Sequence, residues 1–284
     1  MTPTTAIPIT GLRALEDNYI WAIRQAEHLW VVDPGEARPV LAFLHQTGTK
    51  LAGILVTHHH WDHTQGIAEL KHAFPECEVI ASEKTHQKLP DLPISHPVKQ
   101  GDKVAVAGTL FEVIEIPGHT LDHIAFFNQG DGKSPILFCG DTLFTAGCGR
   151  VFEGTAEQMA HSLLTLRHLP EQTLIYCGHE YTLANINFAA IVEPENPAIQ
   201  QRRQQVIERT LKGQPNVPKT LAVEKATNPF LRFDLDPLKQ TLYNKQSLCF
   251  TPAKETLSKA ELFAITRAWK DQLDATGELE RIAT

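Results

Sequence analysis

The chain has 284 residues, 42% hydrophobic and 21% charged, enough length and apolar content for one large domain or two moderate ones; this excludes general disorder, a fibrous repeat or a low-complexity chain. Lys plus Arg number 26 against 33 Asp plus Glu, a net charge of −7. Duplex nucleic acid, whose affinity comes mainly from basic side chains on phosphates, is therefore not the expected partner, whereas an anionic small molecule is not excluded.

Short runs rich in β-branched and aromatic residues predict strands at 19–23, 28–33, 51–57, 78–82, 103–107, 111–116, 123–128, 136–139 and 173–177. Turn signals such as Asp33-Pro34-Gly35, Pro117-Gly118 and Gly130-Asp131-Gly132 close them. Helical spacing falls at 39–46, 66–74 and 155–169, the last opening with Thr155 and carrying Gln158 three residues on, a capping-box pattern. Beyond Tyr181 strand-like runs almost vanish, and 198–211 and 258–273 are the predicted helices, with a Pro-bearing loop at 213–220 between them. In the second of these Leu262, Ile265, Trp269 and Leu273 make one apolar stripe, and Ser258 with Glu261 repeats the capping box. The expected domains are 1–181, mixed α/β, and 182–284, helical. Charge follows this division: residues 1–182 hold 12 Lys plus Arg against 21 Asp plus Glu, and residues 183–284 hold 14 against 12.

Five dispersed cysteines do not look like a disulfide framework. Residues 1–16 lack a secretory pattern, and no apolar run approaches the ~20 residues of a membrane helix, so the expected location is cytoplasmic. Cys139 and Cys177 end apolar strands and read as buried small residues, and Cys148, in a Gly-flanked turn, is expected to be neither ligand nor nucleophile.

The decisive stretch is Thr57-His58-His59-His60-Trp61-Asp62-His63-Thr64-Gln65-Gly66, on a loop between an apolar strand and a helix. His58 and His60, two apart on extended backbone, project to one side and can hold one metal ion. The turn into the helix lets Asp62 and His63 face a second direction, toward another ion. Four histidines and an aspartate within six positions are not explained by packing, and both ligand types are present. His59, between two same-side residues, points away and reads as structural. Downstream, Pro117-Gly118-His119-Thr120, Gly140-Asp141-Thr142-Leu143-Phe144 and Cys177-Gly178-His179-Glu180-Tyr181 each put a ligand-type residue just after a predicted strand, and each is weak alone.

Together and in order these motifs resemble the metallo-β-lactamase superfamily, which implies an αββα sandwich with a two-metal site at one edge of its sheets. By that resemblance His58, His60 and His119 bind the first metal, Asp62, His63 and His179 the second, and Asp141 bridges them. The implied cofactors are two divalent ions per chain, zinc first, with iron or manganese as alternatives. Within the superfamily the chain resembles glyoxalase II, the hydroxyacylglutathione hydrolases. The marks are Asp17-Asn18-Tyr19, the His58 to His63 motif with Trp61, Gly140 to Phe144 running into Ala146-Gly147-Cys148-Gly149-Arg150, Phe152-Glu153-Gly154-Thr155, Cys177 to Thr182, Asn228-Pro229-Phe230, and Arg267 with Lys270-Asp271. They span nearly the whole chain, including the helical part.

The resemblance implies hydrolysis of the thioester of S-D-lactoylglutathione to glutathione and D-lactate, the second step of methylglyoxal detoxification, by a hydroxide bridging two metals and oriented by Asp62 as catalytic residue. It also implies that Arg150, Tyr181, Arg267 and Lys270 bind the glutathione arm; Arg267 and Lys270, three apart on one helix face, suit a carboxylate. Many relatives carry a tyrosine where this chain has Phe152, so a hydroxyl contact to glutathione is missing and weaker binding or altered selectivity is expected. The main alternative is a mononuclear iron persulfide dioxygenase of the same superfamily, which usually lacks the helical part with Arg267 and Lys270. A tRNA-processing phosphodiesterase is disfavoured by the acidic balance. A binding protein without turnover gains little support when all seven ligand positions are present. No nucleic acid or membrane partner is expected, and the chain is expected to be a monomer.

Overall fold

The structure is a computed structural model that describes residues 7–130 and 135–280; Asp131 and Gly132 of the third turn signal lie outside the described residues. Two compact units emerge. The first comprises residues 1–115, 120–140 and 176–179, the second 116–119, 141–175 and 180–284.

In the first unit, β1 (Ile9–Ala14), β2 (Asn18–Gln25) and β3 (His28–Val32) pair antiparallel. β1 was not expected: it is a half-exposed edge strand without alternation. After α1 (Ala37–Thr47) the sheet continues with β4 (Lys50–Leu55), parallel to β3. α2 (Trp61–Thr64) and α3 (Ile67–Ala73) lead to β5 (Glu78–Ser82), and α4 (Glu83–Lys88) to β6 (His96–Val98). These strands are parallel, so their connections must cross over, and helices cover one face of the sheet in doing so. Val40 and Leu44 of α1 and Ile67 and Leu70 of α3 join Leu29, Val31, Ile54 and Val56 in one core.

The second sheet of this unit is an antiparallel meander of β7 (Lys103–Val106), β8 (Thr109–Glu115), β9 (Ile124–Asn128) and β10 (Ile136–Gly140). β9 and β10 are buried at every position, which is why they read as continuous apolar runs. The chain then forms the hairpin β11 (Leu143–Phe144) and β12 (Gly147–Cys148) and the helix α5 (Ala156–Arg167) before β13 (Leu174–Cys177). Past β13, Gly178 N donates to Gly140 O (3.0 Å) and Tyr19 N to Gly178 O (2.8 Å), which sets His179 beside Asn18.

The second unit is mostly helical. α5 starts at the expected capping box of Thr155 and Gln158, and α10 (Lys259–Asp274) at that of Ser258 and Glu261. Between them lie α6 (Thr182–Val192), α7 (Pro197–Leu211), the short strand β14 (Lys219–Thr220) paired with Leu174 and Ile175, α8 (Leu221–Thr227) and α9 (Leu238–Asn244). Rings of Phe188, Phe230, Phe233, Phe263 and Trp269 stack edge and face at the centre of this unit. α6 was not predicted because its buried residues run around the helix rather than along one stripe, so no amphipathic period marks it. A buried pair, Arg202 with Glu224, ties α7 to α8; Glu224 also accepts from Ala146 N (2.7 Å), and Asn228 Nδ2 donates to Phe144 O and Gly147 O, so both brace the β11–β12 hairpin.

Candidate metal centre

The His58 to His63 motif leaves the end of β4 as an extended loop and turns into α2, as its place after an apolar run implies. It is pressed against the 33–36 turn so closely that a Cβ on Gly35 would sit 1.9 Å from Asp62 O, which only glycine permits. Asp33, in the left-handed region at φ 53°, aims its carboxylate under the motif. One oxygen accepts from Thr57 N (2.8 Å); the other accepts from Thr57 Oγ1 (2.7 Å) and His63 Nδ1 (3.1 Å).

These partners decide which imidazole nitrogens bear protons. A carboxylate only accepts, so His63 Nδ1 carries hydrogen toward Asp33, and His179 Nδ1 carries hydrogen toward Asp17 Oδ1 (2.7 Å). Thr57 Oγ1 gives its one hydrogen to Asp33 and so accepts from His58 Nδ1 (3.0 Å). In each ring Nε2 is then the atom presented to a metal, the orientation that supporting partners give ligating histidines.

Asp62, His63 and His179 bring ligand atoms within 4.8 Å of one another. His63 Nε2 lies 3.3 Å from His179 Nε2, and Asp62 Oδ2 lies 3.3 and 3.4 Å from the two nitrogens. Adjacent ligands about 3.3 Å apart match a tetrahedral ion with bonds of about 2.0–2.1 Å. Three acceptors turned on one another call for positive charge, which a divalent cation supplies, so the residues fit a metal. Burial alone would raise the pKa of the Asp62 carboxyl, but with no cation between them the imidazoles of His179 and His63, when protonated at Nε2 as well, and the Asn18 amide (Nδ2 to Oδ2, 3.0 Å) outweigh that and hold it well below the usual carboxylate range; a metal ion would supply the same positive charge. His58 Nε2 and His60 Nδ1 face each other at 3.1 Å, so this pair also shares a side. His59 turns away, donating to buried Asp122 (2.7 Å), which accepts from Thr85 Oγ1 as well. In the sequence Asp17 and Asn18 stand out only as part of a family mark and Asp33 only as a turn signal, and nothing local singles out Asp122.

The remaining expected residues belong to the second unit. His119 Nδ1 donates to Arg150 O (2.7 Å), and its Nε2 lies 3.6 Å from Asp141 Oδ2. A Cβ on Gly149 would lie 1.9 Å from Asp141 O, so glycine lets the chain pass over the aspartate. His119 and Asp141 stand in a cleft of about 400 Å³ whose lining also includes Arg150, Tyr181, Arg267 and Lys270, so one cavity gathers two metal-type ligands and every expected substrate-binding residue. Phe152 also lines it, its ring 5.1 Å from that of His119 and 63% exposed. Arg267 donates to Cys148 O (3.2 Å), and Arg267 and Lys270 are both buried. Lys270 is lowered from the usual lysine value by burial, against the carboxylate of Asp274. Burial pushes the Cys148 thiol up to about 12, against the pull of the neighbouring Arg267.

Residues 15–179 match the metallo-beta-lactamase superfamily, and residues 180–273 match the family described as hydroxyacylglutathione hydrolase C-terminus. The chain is 47% identical over 276 residues to the hydroxyacylglutathione hydrolase of Hydrogenovibrio crunogenus, covering 96% of this chain and 97% of that one. It is 45% identical over 267 residues to that of Vibrio cholerae serotype O1 strain M66-2, covering 94% and 99%. Among solved structures, ETHE1 from Myxococcus xanthus aligns with a TM-score of 0.61 at 24% identity over 92% of this chain and 99% of that one. A metallo-beta-lactamase from Staphylococcus aureus aligns at 0.60 and 19% over 93% and 73%; both show the shared fold.

Proposed function

The chain belongs to the hydroxyacylglutathione hydrolases of the metallo-β-lactamase superfamily, and from that premise we propose that it hydrolyses the thioester of S-2-hydroxyacylglutathiones, S-D-lactoylglutathione above all, to glutathione and a 2-hydroxy acid. The observation that carries this reading is the cleft lined by His119 and Asp141 together with Arg150, Tyr181, Arg267 and Lys270. Such a cavity suits a ligand with a reacting carbonyl at one end and carboxylates at the other.

The family pattern makes His58, His60, Asp62, His63, His119, Asp141 and His179 the ligands of two divalent ions, with zinc the first choice. Ions held there would supply a water acidified to a pKa of about 7 and a Lewis acid for the thioester carbonyl. The chain supplies the rest. Asp33 and Asp17 hold His63 and His179 with Nε2 presented. Asn18 fixes Asp62, whose carboxylate accepts a hydrogen bond from the attacking water and so orients it. Arg267 and Lys270 grip the carboxylates of the glutathione arm, while Arg150 and Tyr181 line its path. No side chain has to act as a strong acid, because the departing thiol has a pKa of about 8.5. Residues 1–181 act as the catalytic domain and 182–284 as the glutathione-binding domain. Among the described residues no helix is long and apolar enough to cross a membrane. The chain works as a cytoplasmic monomer.

Purified protein should contain close to two metal ions per chain and convert S-D-lactoylglutathione to glutathione without oxygen uptake. Asp141→Ala should abolish turnover and full metal loading together. A single iron with oxygen consumption on glutathione persulfide would overturn the hydrolase reading.

A further inference from the structure

The cationic end of the cleft already contains a carboxylate. Asp274 Oδ1 accepts from Lys270 Nζ at 2.6 Å, and Oδ2 lies 3.4 Å from Arg267 Nη2 and 4.0 Å from Arg150 Nη2. One side chain thus touches all three basic residues of the cleft and itself lines the cavity.

Helix stability does not explain an aspartate there. Asp274 is the last residue of α10, where the helix dipole disfavours negative charge, and the last turn of that helix has no basic residue. Its pairing with Lys270 also has the acid C-terminal to the base, the weaker order for a pair four apart. Asp271 differs: its side chain is 44% exposed, it pairs with Arg267 and Arg150, and it is not part of the cleft lining.

We propose that Asp274 is an internal counter-ion of the cleft, holding Arg150, Arg267 and Lys270 in the free enzyme and competing with the carboxylate of the incoming substrate. It therefore sets the affinity of the cleft for an anionic arm. A buried cation that loses its counter-charge is costly, and Lys270, buried against Asp274, meets that cost in full while Arg267 and Arg150 keep Asp271; removing the Asp274 carboxylate therefore raises the free energy of the empty cleft and leaves an anionic ligand to restore the balance. This inference rests on the reading of the cleft as a glutathione site.

The test is Asp274→Asn, an isosteric neutral change, in the metal-loaded full chain. Reduced glutathione serves as the probe, both as a competitive inhibitor of S-D-lactoylglutathione hydrolysis and as a stabilising ligand in thermal melts. The inhibition constant should fall about fivefold. The ligand-free variant should melt earlier than the parent, yet glutathione should raise its melting temperature by more. Glu278→Gln, an exposed charge change outside the cleft lining, should alter neither reading. An inhibition constant that stays the same or rises in Asp274→Asn overturns the proposal, because a merely structural aspartate would lower the melting temperature without tightening the ligand. If the parent itself does not bind glutathione, the reading of the cleft fails and the proposal with it; if the parent binds and the variant binds no tighter, the counter-ion alone fails. Asp274→Ser replaces the asparagine variant if that one does not fold, with the same expected direction.

Discussion

His179 Nδ1 donates to Asp17 Oδ1 across 2.7 Å, although 162 positions separate the two residues in the chain. The contact orients the ring and leaves Nε2 facing His63 Nε2 and Asp62 Oδ2. Partners of this kind tune affinity without touching the ion. Asp17→Ala is expected to weaken metal binding about 10- to 100-fold, measured by chelator competition. Thermal stability of the metal-free protein should change little, since the Asp17 side chain is 36% exposed. Metal affinity equal to that of the parent would show that Asp17 has no share in presenting His179.

Lys270→Ala should act on substrate binding rather than on the chemical step. Its ammonium sits in the cleft, buried beside Asp274, and is a cation rather than one of the metal-type ligands His119 and Asp141. KM should rise about tenfold while kcat falls far less. An unchanged KM in steady-state kinetics would mean that this end does not hold the substrate.

The Arg202–Glu224 pair offers a stability test away from the chemistry. Both side chains are almost fully buried, and Glu224 accepts in addition from Ala146 N and Asn228 Nδ2. Glu224→Gln leaves the Arg202 guanidinium without its charge partner in the interior, which should cost about 3–5 kcal/mol in urea unfolding. Because Ala146 is held at φ 58° in the same hairpin, the loss should also loosen the Leu143–Cys148 segment, seen as faster amide exchange there.

Thiol chemistry should separate one cysteine from four. Cys77, Cys139, Cys148 and Cys177 are buried and Cys249 is exposed. Iodoacetamide on the native protein should therefore label Cys249 first, and denaturation should make all five available. Raising the pH from 7 to 9 should not add Cys148: burial raises its thiol pKa to about 12, so the group stays protonated throughout that window. Native-state alkylation of Cys148 at pH 9, read by peptide mass spectrometry, would contradict its burial.

Much of the site was legible because its signals are local. Four expected ligand residues sit within six positions, His58 to His63, and the capping boxes at Thr155 and Ser258 lie within three residues of their helices. The stripe of Leu262, Ile265 and Trp269 is buried as its spacing implies. The edge strand Ile9–Ala14 and the helix Thr182–Val192 were not legible, because one lacks alternation and the other buries residues on several faces.

Residue type and local order determined that this chain carries a cluster of imidazoles and carboxylates suited to metals, and two basic residues on one face of a late helix. Tertiary structure decided which nitrogen of each imidazole is presented, because Asp17 and Asp33 reach His179 and His63 from remote positions. It also decided that Arg267 and Lys270 are buried around Asp274 rather than spread on a solvated surface. The physical reason is the same in both cases. Hydrogen-bond direction and charge compensation depend on which groups lie within about 3 Å, and chain folding, not spacing along the sequence, sets those neighbours.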